Sequence, residues 1–374
     1  MIKPRSTKEV SECLKLATQY KIGVVPWSGG TGLVGGQIAP DKYSVTLSLE
    51  RMNKIKNFSS INQSIEVEAG VILETIHEFV DKRNFLYPLS MASKGTCCIG
   101  GNLATNAGGI GVLKYGNARD LCLGLEVVLA DGSIINDIKT LKKDNTGYDL
   151  KNLFIGSEGS LGVITRAVLR LYPTPQNKIV VFFGVNNFDA ALKSYLELSK
   201  RFGQYLQAFE LISDVGLRFI EETKMVQSTI QRSKSDWHVL IEFGYNNSSV
   251  EQDVYEALDE LCNKNIISHV VLGDTETKAR KLWKMREDIP EANRKIGAIT
   301  SHDIALPLEN MESFINKSLI EIKEINKFLR VNCFGHMGDG NLHFNVFPPP
   351  GEKNSSYTRI KSKLTNIINN NCKT

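Results

Sequence analysis

Apolar residues recur along this chain in two rhythms, and the switches between them mark out its elements. Val10, Cys13, Leu14 and Ala17 follow Ser6-Thr7-Lys8-Glu9 at helical spacing, so a helix with a capping box is predicted to end near Tyr20. A short strand over 22–25 should come next, then a glycine-rich stretch and an extended segment over 44–49. Residues 65–69 read as a strand and 71–82 as a helix. Residues 125–130 run into Asp131-Gly132, a hairpin turn, and the segment after Ile155 leads into an alternating strand ending near Tyr172. Further on, strands predicted at 179–184, 206–212 and 239–244 are separated by helical stretches at 189–200 and 250–262.

The stretch richest in chemistry is Phe334-Gly335-His336-Met337-Gly338-Asp339-Gly340-Asn341-Leu342-His343-Phe344-Asn345. Asp339-Gly340 offers the positive-φ positions of a tight turn, and Leu342, Phe344 and Val346 alternate after it, which predicts two short strands. His343 and Asn345 then share the face opposite the apolar set, and His336 comes down the partner strand toward the same point. Two imidazoles beside a carboxamide suit a metal and substrate site. On this fragment alone, ordinary half-buried polar residues of a hairpin fit equally well.

Glycine spacing adds a second kind of signal. Gly30, Gly32 and Gly35 satisfy the G-x-G-x-x-G dinucleotide spacing, but that turn must open directly into a helix. Here Gly35-Gly36 and Pro40 precede an extended segment, which argues against a nicotinamide-type turn. Either the small residues of 28–32 let main-chain N–H groups approach a diphosphate, or the loop is a purely structural turn. Residues 88–109 are dense in small, hydroxyl and amide side chains, with Thr96, Asn102 and Thr105 as donors to a ligand threaded along the backbone; low-complexity coil is the other reading. Ile99, Leu103 and Ala107 at four-residue spacing argue for packing rather than a solvated linker. Glycines 156, 159 and 162 again mark close backbone approach.

Composition limits the function classes. A chain of 374 residues suggests two or three domains, and 42% hydrophobic residues allow a full core. A net charge of +4, with no basic cluster beyond pairs such as Lys142-Lys143, argues against a nucleic-acid surface. No apolar run approaches the roughly 18 residues of a membrane span, and the first ten residues lack the apolar segment of a signal peptide. Cysteines 13, 97, 98, 122, 262, 333 and 372 form no C-x-x-C pair, so reduced thiols in an intracellular compartment are expected.

Taken together, PWSGGTGLVGG (26–36), SKGTCCIGGNLATNAGG (93–109), KYGNARDLCLGLEVVLADG (114–132), KDNTGYDLKNLFIGSEGSLGVIT (143–165) and GHMGDGNLHFNV (335–346) resemble, in this order, the FAD-linked D-2-hydroxyacid dehydrogenases. The likeness covers residues 3 to 347 and is greatest to the D-2-hydroxyglutarate dehydrogenases of that family; D-lactate dehydrogenases usually lack the KDNTGYDLK and ATNAGG forms. The resemblance implies an α+β protein. A two-subdomain FAD-binding domain of the vanillyl-alcohol-oxidase type would span 1–172, a ferredoxin-like α+β substrate (cap) domain 173–350, and a polar tail 351–374. Non-covalent FAD would place its pyrophosphate on Ser28, Gly29, Gly30, Thr31 and Gly32. Pro88, Gly95, Thr96, Gly100, Gly101, Asn102, Thr105, Asn106, Gly109, Glu158, Gly159, Gly162 and Ile164 would complete the cofactor set. His336 and His343 would bind Zn2+ or another divalent metal, Arg286 would clamp a substrate carboxylate, and Asn345 would contact substrate. The implied reaction takes D-2-hydroxyglutarate to 2-oxoglutarate, with hydride transfer to flavin, an electron-transfer flavoprotein as acceptor, and a mitochondrial address.

The departures from the family pattern also carry expectations. Pro290 stands where the hydroxyglutarate enzymes have a threonine one turn after the arginine, and Ser301 where they have a lysine. Both lost groups help hold the substrate, so D-lactate or a related acid is the alternative substrate. His302 is a candidate replacement donor, with a local partner on a strand face as the plainer expectation. After the hairpin the family continues to a Glu-His-Gly motif that supplies a third metal ligand and a base, whereas this sequence runs Pro348-Pro349-Pro350-Gly351 into a polar, helix-like tail. An incomplete chain and a non-catalytic flavin-binding homologue are the readings that follow, with the general base expected to be missing from this chain.

Overall fold

The computed structural model describes residues 1–225 and 234–373; Thr374, the last residue of the expected tail, lies outside the described residues. Two compact units emerge, Met1–Thr174 and Pro175–Thr374. Each has its own sheet and core.

The first unit begins with α1 (Thr7–Gln19), β1 (Gly23–Trp27), β2 (Ser44–Ser48), β3 (Ile55–Ser59), β4 (Ser64–Glu68) and α2 (Leu73–Asp81). It continues through β5 (Phe85–Leu86), α3 (Ile99–Ala104), α4 (Val112–Tyr115), β6 (Cys122–Val128), β7 (Ile134–Asp137), α5 (Lys151–Phe154), β8 (Val163–Arg170) and β9 (Tyr172–Pro173). Helix α1 starts where Ser6 Oγ accepts the N–H of Glu9 at 3.2 Å, but the Glu9 carboxylate accepts from the N–H of Arg5, not of Ser6, so only half of the capping box forms. Strands β1 and β2 pair in parallel as a small sheet of their own, while β3-β4-β8-β6-β7 form a five-stranded antiparallel sheet. These are the two subdomains expected of the fold. The alternation expected before Tyr172 is not found: Val163, Ile164, Thr165, Ala167, Val168 and Leu169 of β8 are all buried. Strand β8 is central in its sheet and covered on both faces, so successive side chains are buried whichever way they point.

The second unit runs β10 (Asn177–Val185), α6 (Phe188–Phe202), β11 (Leu206–Ser213), α7 (Asp214–Glu222), β12 (Trp237–Tyr245), α8 (Ser249–Asn263) and β13 (Ser268–Gly273). Then come α9 (Glu276–Ile296), β14 (Thr300–Ala305), α10 (Leu308–Ile325), β15 (Arg330–His336), β16 (Asn341–Phe347) and α11 (Thr358–Asn371). Its seven strands form one antiparallel sheet in the order β13-β10-β12-β11-β15-β16-β14. The first four of these, with α6 and α8 as crossovers, make the ferredoxin-like succession, and α7 is inserted between β11 and β12. Val180, Phe182, Ile212, Leu240, Phe334 and Phe347 form one apolar face, which packs on Leu217 and Phe219 of α7 and Leu282, Met285 and Ile289 of α9. On the opposite face Phe344 meets Phe314 of α10 edge-on at 5.2 Å.

Residues 358–371, expected in a polar tail, fold as α11 within the second unit. Leu364 and Ile368 are fully buried there, and Asn371 donates to Ser318 Oγ at 3.1 Å. The helix-like character expected of this tail is therefore borne out, while its docking through two apolar side chains and one buried amide was not anticipated.

Candidate functional site

In the first unit the loop after β1, the segment entering α3 and the turn before β8 converge on a groove of about 1130 Å³, counting its open mouth. Glycine is required where these segments cross. A Cβ on Gly29 would lie 2.4 Å from the Thr96 carbonyl oxygen and 2.7 Å from the Cα of Cys97, so the first two segments touch main chain to main chain. Gly30 sits at φ +66° with its missing Cβ 2.2 Å from Cζ2 of Trp27, which lets the indole lie flat on the loop. Ser28 Oγ accepts the N–H of Gly101 at 3.2 Å and ties the segments again. The third turn is held at positive φ through Gly156, Glu158 and Gly159, and the Glu158 N–H donates to Ala104 O at 2.8 Å. One acceptor in the groove is left over. Asn102 Nδ2 contacts Met91 Sδ, but its Oδ1 is buried with no hydrogen-bond partner among the described residues. Leaving such an oxygen unpaired costs roughly 1–3 kcal/mol, so it suits a donor brought by a ligand.

In the second unit the strand register builds a row of ionisable side chains on the sheet face that meets α7 and α9. Glu210 of β11 is opposite His336 of β15, and His343 of β16 is opposite both Phe334 of β15 and Asp303 of β14. His336 Nδ1 lies 2.6 Å from Glu210 Oε1, and the His336 and His343 rings meet edge to face at 5.6 Å between centroids. His343 Nδ1 lies 3.2 Å from Asp303 Oδ1. Arg286 enters from α9: its Nε and Nη2 both reach Glu210 Oε2, at 2.8 and 2.7 Å, and its guanidinium lies over the Phe334 ring at 4.7 Å.

Burial sets the electrostatics of this row. Glu210 is buried, which by itself would raise its pKa, yet the His336 and Arg286 charges outweigh that and hold it well below the usual carboxylate range. For His336 burial works against the charged form, and the adjacent Glu210 carboxylate wins, so its pKa is raised. Asp339, in the connection between the two histidine strands, is pushed up to about 6 by burial. The outcome is a buried Glu210 carboxylate shared by Arg286 and His336, beside a more exposed contact between His343 and Asp303. Among the described residues no group of three or more His, Cys, Asp or Glu is arranged to hold a metal ion.

A family model of an FAD binding domain matches residues 1–137, and one for the C-terminal domain of FAD linked oxidases matches residues 174–367. The chain belongs to the FAD-linked oxidase family. A putative mitochondrial D-lactate dehydrogenase of Schizosaccharomyces pombe is 39% identical over 355 residues, covering 92% of this chain and 67% of that protein. The mitochondrial D-2-hydroxyglutarate dehydrogenase of Danio rerio is 36% identical over 350 residues, covering 93% and 65%. This FAD-linked oxidase thus spans about two thirds of the length of the curated relatives it matches. Among solved structures, alkyldihydroxyacetonephosphate synthase aligns with a TM-score of 0.77 over 98% of this chain and 70% of that one at 19% identity, which establishes the vanillyl-alcohol-oxidase type of fold. FAD is the cofactor of the family.

Within this oxidase the expected cofactor residues fall into two sets. Ser28, Gly29, Gly30, Thr31, Gly32, Gly100, Gly101, Asn102, Thr105, Glu158, Gly159, Gly162 and Ile164 line the groove. Pro88, Gly95, Thr96, Asn106 and Gly109 are absent from its lining. Several of these brace it instead: Thr96 carries the carbonyl against which Gly29 fits, Asn106 Oδ1 accepts the N–H of Arg119 at 3.0 Å, and a Cβ on Gly109 would sit 1.8 Å from Ser90 O. The hydroxyls of Thr96 and Thr105, expected to donate outward, donate to Ser93 O and Gly101 O. Trp27, Gln37, Met91, Cys97 and Cys98 also line the groove and were not anticipated.

In the second unit Arg286, His336 and His343 come together, with Asn345 buried two residues beyond His343 on the same strand face. The tight turn differs from expectation. Residues Met337–Asp339 form a short 3-10 turn, only Gly340 adopts positive φ, at +83°, and Asp339 uses its carboxylate to accept the N–H of Asn341. His302 lies 2.6 Å from Thr300 Oγ1, the local strand partner expected of it. Glu210, the centre of the row, was missed. Its signal was present: a single carboxylate inside the apolar run Ala208-Phe209-Glu210-Leu211-Ile212 must find a charged partner.

Proposed function

We propose that this FAD-linked oxidase converts a D-2-hydroxyacid, D-2-hydroxyglutarate foremost, to its 2-oxoacid. The observation that carries the reading is the row Arg286–Glu210–His336–His343, which combines a buried guanidinium with two imidazoles whose Nε2 atoms make no hydrogen bond among the described residues. FAD fits the groove of the first unit: the glycine crossings leave space beside main chain, and buried Asn102 Oδ1 awaits a donor. Bound FAD supplies the acceptor for the hydride leaving Cα of the substrate.

A divalent cation such as zinc suits the two histidines, because Nδ1 of each faces a carboxylate and Nε2 is left as the ligand atom. Held by His336 and His343, such an ion would supply Lewis-acid stabilisation of the substrate hydroxyl. The chain's own side chains then do the positioning. Arg286 offers Nη1 to a carboxylate while its other nitrogens stay on Glu210. Asn345, whose carboxamide makes no hydrogen bond within the described residues, orients the acid from the same face as His343. An electron-transfer flavoprotein is the electron acceptor we infer and the mitochondrion the compartment, after the relatives named for it.

D-lactate is the second reading. Pro290 is exposed on α9 one turn after Arg286 and brings no hydroxyl, and Ser301 of β14, exposed opposite Asn345, brings no cation for a second carboxylate. The S. pombe relative named as a D-lactate dehydrogenase agrees with that choice. The test is anaerobic bleaching of the bound flavin with Zn2+ present. Faster reduction by D-2-hydroxyglutarate is the expected outcome, faster reduction by D-lactate transfers the assignment, and a flavin that neither acid bleaches overturns the proposal.

A further inference from the structure

We propose that Glu210 is the positioning residue of the second unit: one buried carboxylate that fixes the orientation of Arg286 through Oε2 and of His336 through Oε1. The proposal rests on the reading of Arg286 as carboxylate clamp and His336 as metal ligand. It goes beyond that reading by assigning a single residue to the coupling of the two.

The argument is geometric. Glu210 is fully buried on β11, and its two oxygens are divided without overlap, Oε2 taking two nitrogens of Arg286 and Oε1 taking His336 Nδ1. A carboxylate accepts at both oxygens, so it satisfies two donors on opposite sides at once. With Glu210 as acceptor, the neutral form of His336 carries its proton on Nδ1, and the Nε2 lone pair is then presented outward. The strand pairing enforces this, since Glu210 and His336 are direct cross-strand partners. Phe334, two residues before His336, contacts both the Arg286 guanidinium at 4.7 Å and the His343 ring at 4.9 Å, which leaves these side chains little room to rotate.

The other histidine lacks such a support. Its partner Asp303 has a side chain 70% exposed, against 1% for Glu210, so water competes for the His343 contact and does not for the His336 contact. The asymmetry predicts that the tautomer of His336 is fixed and that of His343 is adjustable.

The substitutions follow from the division of the two oxygens. Glu210→Gln keeps the shape but offers one acceptor and one donor, so it can serve Arg286 or His336 and not both. A second variant, Glu210→Leu with Arg286→Met, removes the buried charges together and leaves an apolar pair, an exchange that buried ion pairs often tolerate. Arg286→Met alone is its reference.

The experiment titrates the full FAD-loaded chain with Zn2+ against a chromophoric chelator, and reads the His336 tautomer by nitrogen NMR in the metal-free chain. Relative to Arg286→Met, the double variant should bind Zn2+ about 10–100-fold more weakly and lose the fixed Nδ1–H tautomer. Glu210→Gln should fall between, with KM for the hydroxyacid raised more than kcat is lowered. Unchanged Zn2+ affinity together with an unchanged tautomer in the double variant overturns the positioning role. If the wild-type chain binds no Zn2+, the metal reading is what fails, and the tautomer measurement still decides the role of Glu210.

Discussion

The groove of the first unit is made of main chain and small side chains, whereas the row of the second is made of ionisable side chains withdrawn from water. In the groove the decisive feature is what is missing, a Cβ at Gly29 and Gly30 and a donor for Asn102. In the row it is what is paired, since Arg286 and His336 are the side-chain partners of Glu210 among the described residues. The two regions should therefore fail differently. A groove fails sterically, by loss of space, and a charge row fails electrostatically, by loss of a partner.

The sharpest way to break that contrast is Glu210→Ala. It strands a guanidinium only 7% exposed, and removing one member of a buried ion pair costs about 3–5 kcal/mol. Asp303→Ala at the far end of the row removes a carboxylate that is largely solvated and should cost under about 1 kcal/mol. Denaturant unfolding followed through Trp237 and Trp283, both in the second unit, measures the two. Equal losses would mean that burial does not organise the row.

The groove is tested by Gly29→Ala. The new methyl meets backbone atoms of Thr96 and Cys97, which cannot swing aside as the tip of a side chain would. Overpacking of this kind costs about 1–3 kcal/mol. The larger consequence is for the cofactor: parting the two segments should leave the purified protein depleted of FAD, read as the ratio of flavin to protein absorbance. A fully yellow variant would show that the crossing does not shape the cofactor site.

The same contrast explains what could be read from the sequence. Close main-chain approach demands glycine at fixed positions, so the groove is written locally, and the three glycine-rich segments are visible before any fold is known. What could not be read is which of those residues face inward: Gly109 and Thr96 look like their neighbours in sequence and serve as braces in the structure. The row is written non-locally. Glu210 and His336 are 126 residues apart and meet only because β11 and β15 are neighbours, an arrangement that no spacing rule supplies. The role of Arg286 was legible only through the resemblance, because an arginine on a helix is usually a surface charge, whereas this one is buried in the stripe of Leu282, Met285 and Ile289.

The first unit also buries charge away from its groove, and this offers the smallest and most specific test of the comparison. Glu126 of β6 accepts from Thr7, Thr165 and Arg166, while Arg166 also reaches Glu66 at 2.8 Å, so every member of the cluster has a partner. Burial alone would raise the Glu126 pKa, but the hydrogen bonds from Arg166 and the two threonines outweigh it and lower the value. A carboxylate with a depressed folded-state pKa contributes stability above its unfolded pKa, near 4.3. That contribution is lost as pH falls from there through the folded value. Glu126→Gln keeps an acceptor for the threonines and a second partner for Arg166, so its cost at pH 7 should be only about 1 kcal/mol. The gap between wild type and variant in thermal unfolding should then shrink as pH drops below about 4, because the unfolded wild type takes up a proton there that the folded state resists. A gap that stays constant down to pH 3 would mean that the cluster acts through shape and hydrogen bonding alone, and that charge in this unit contributes no more at its sheet than it does at its groove.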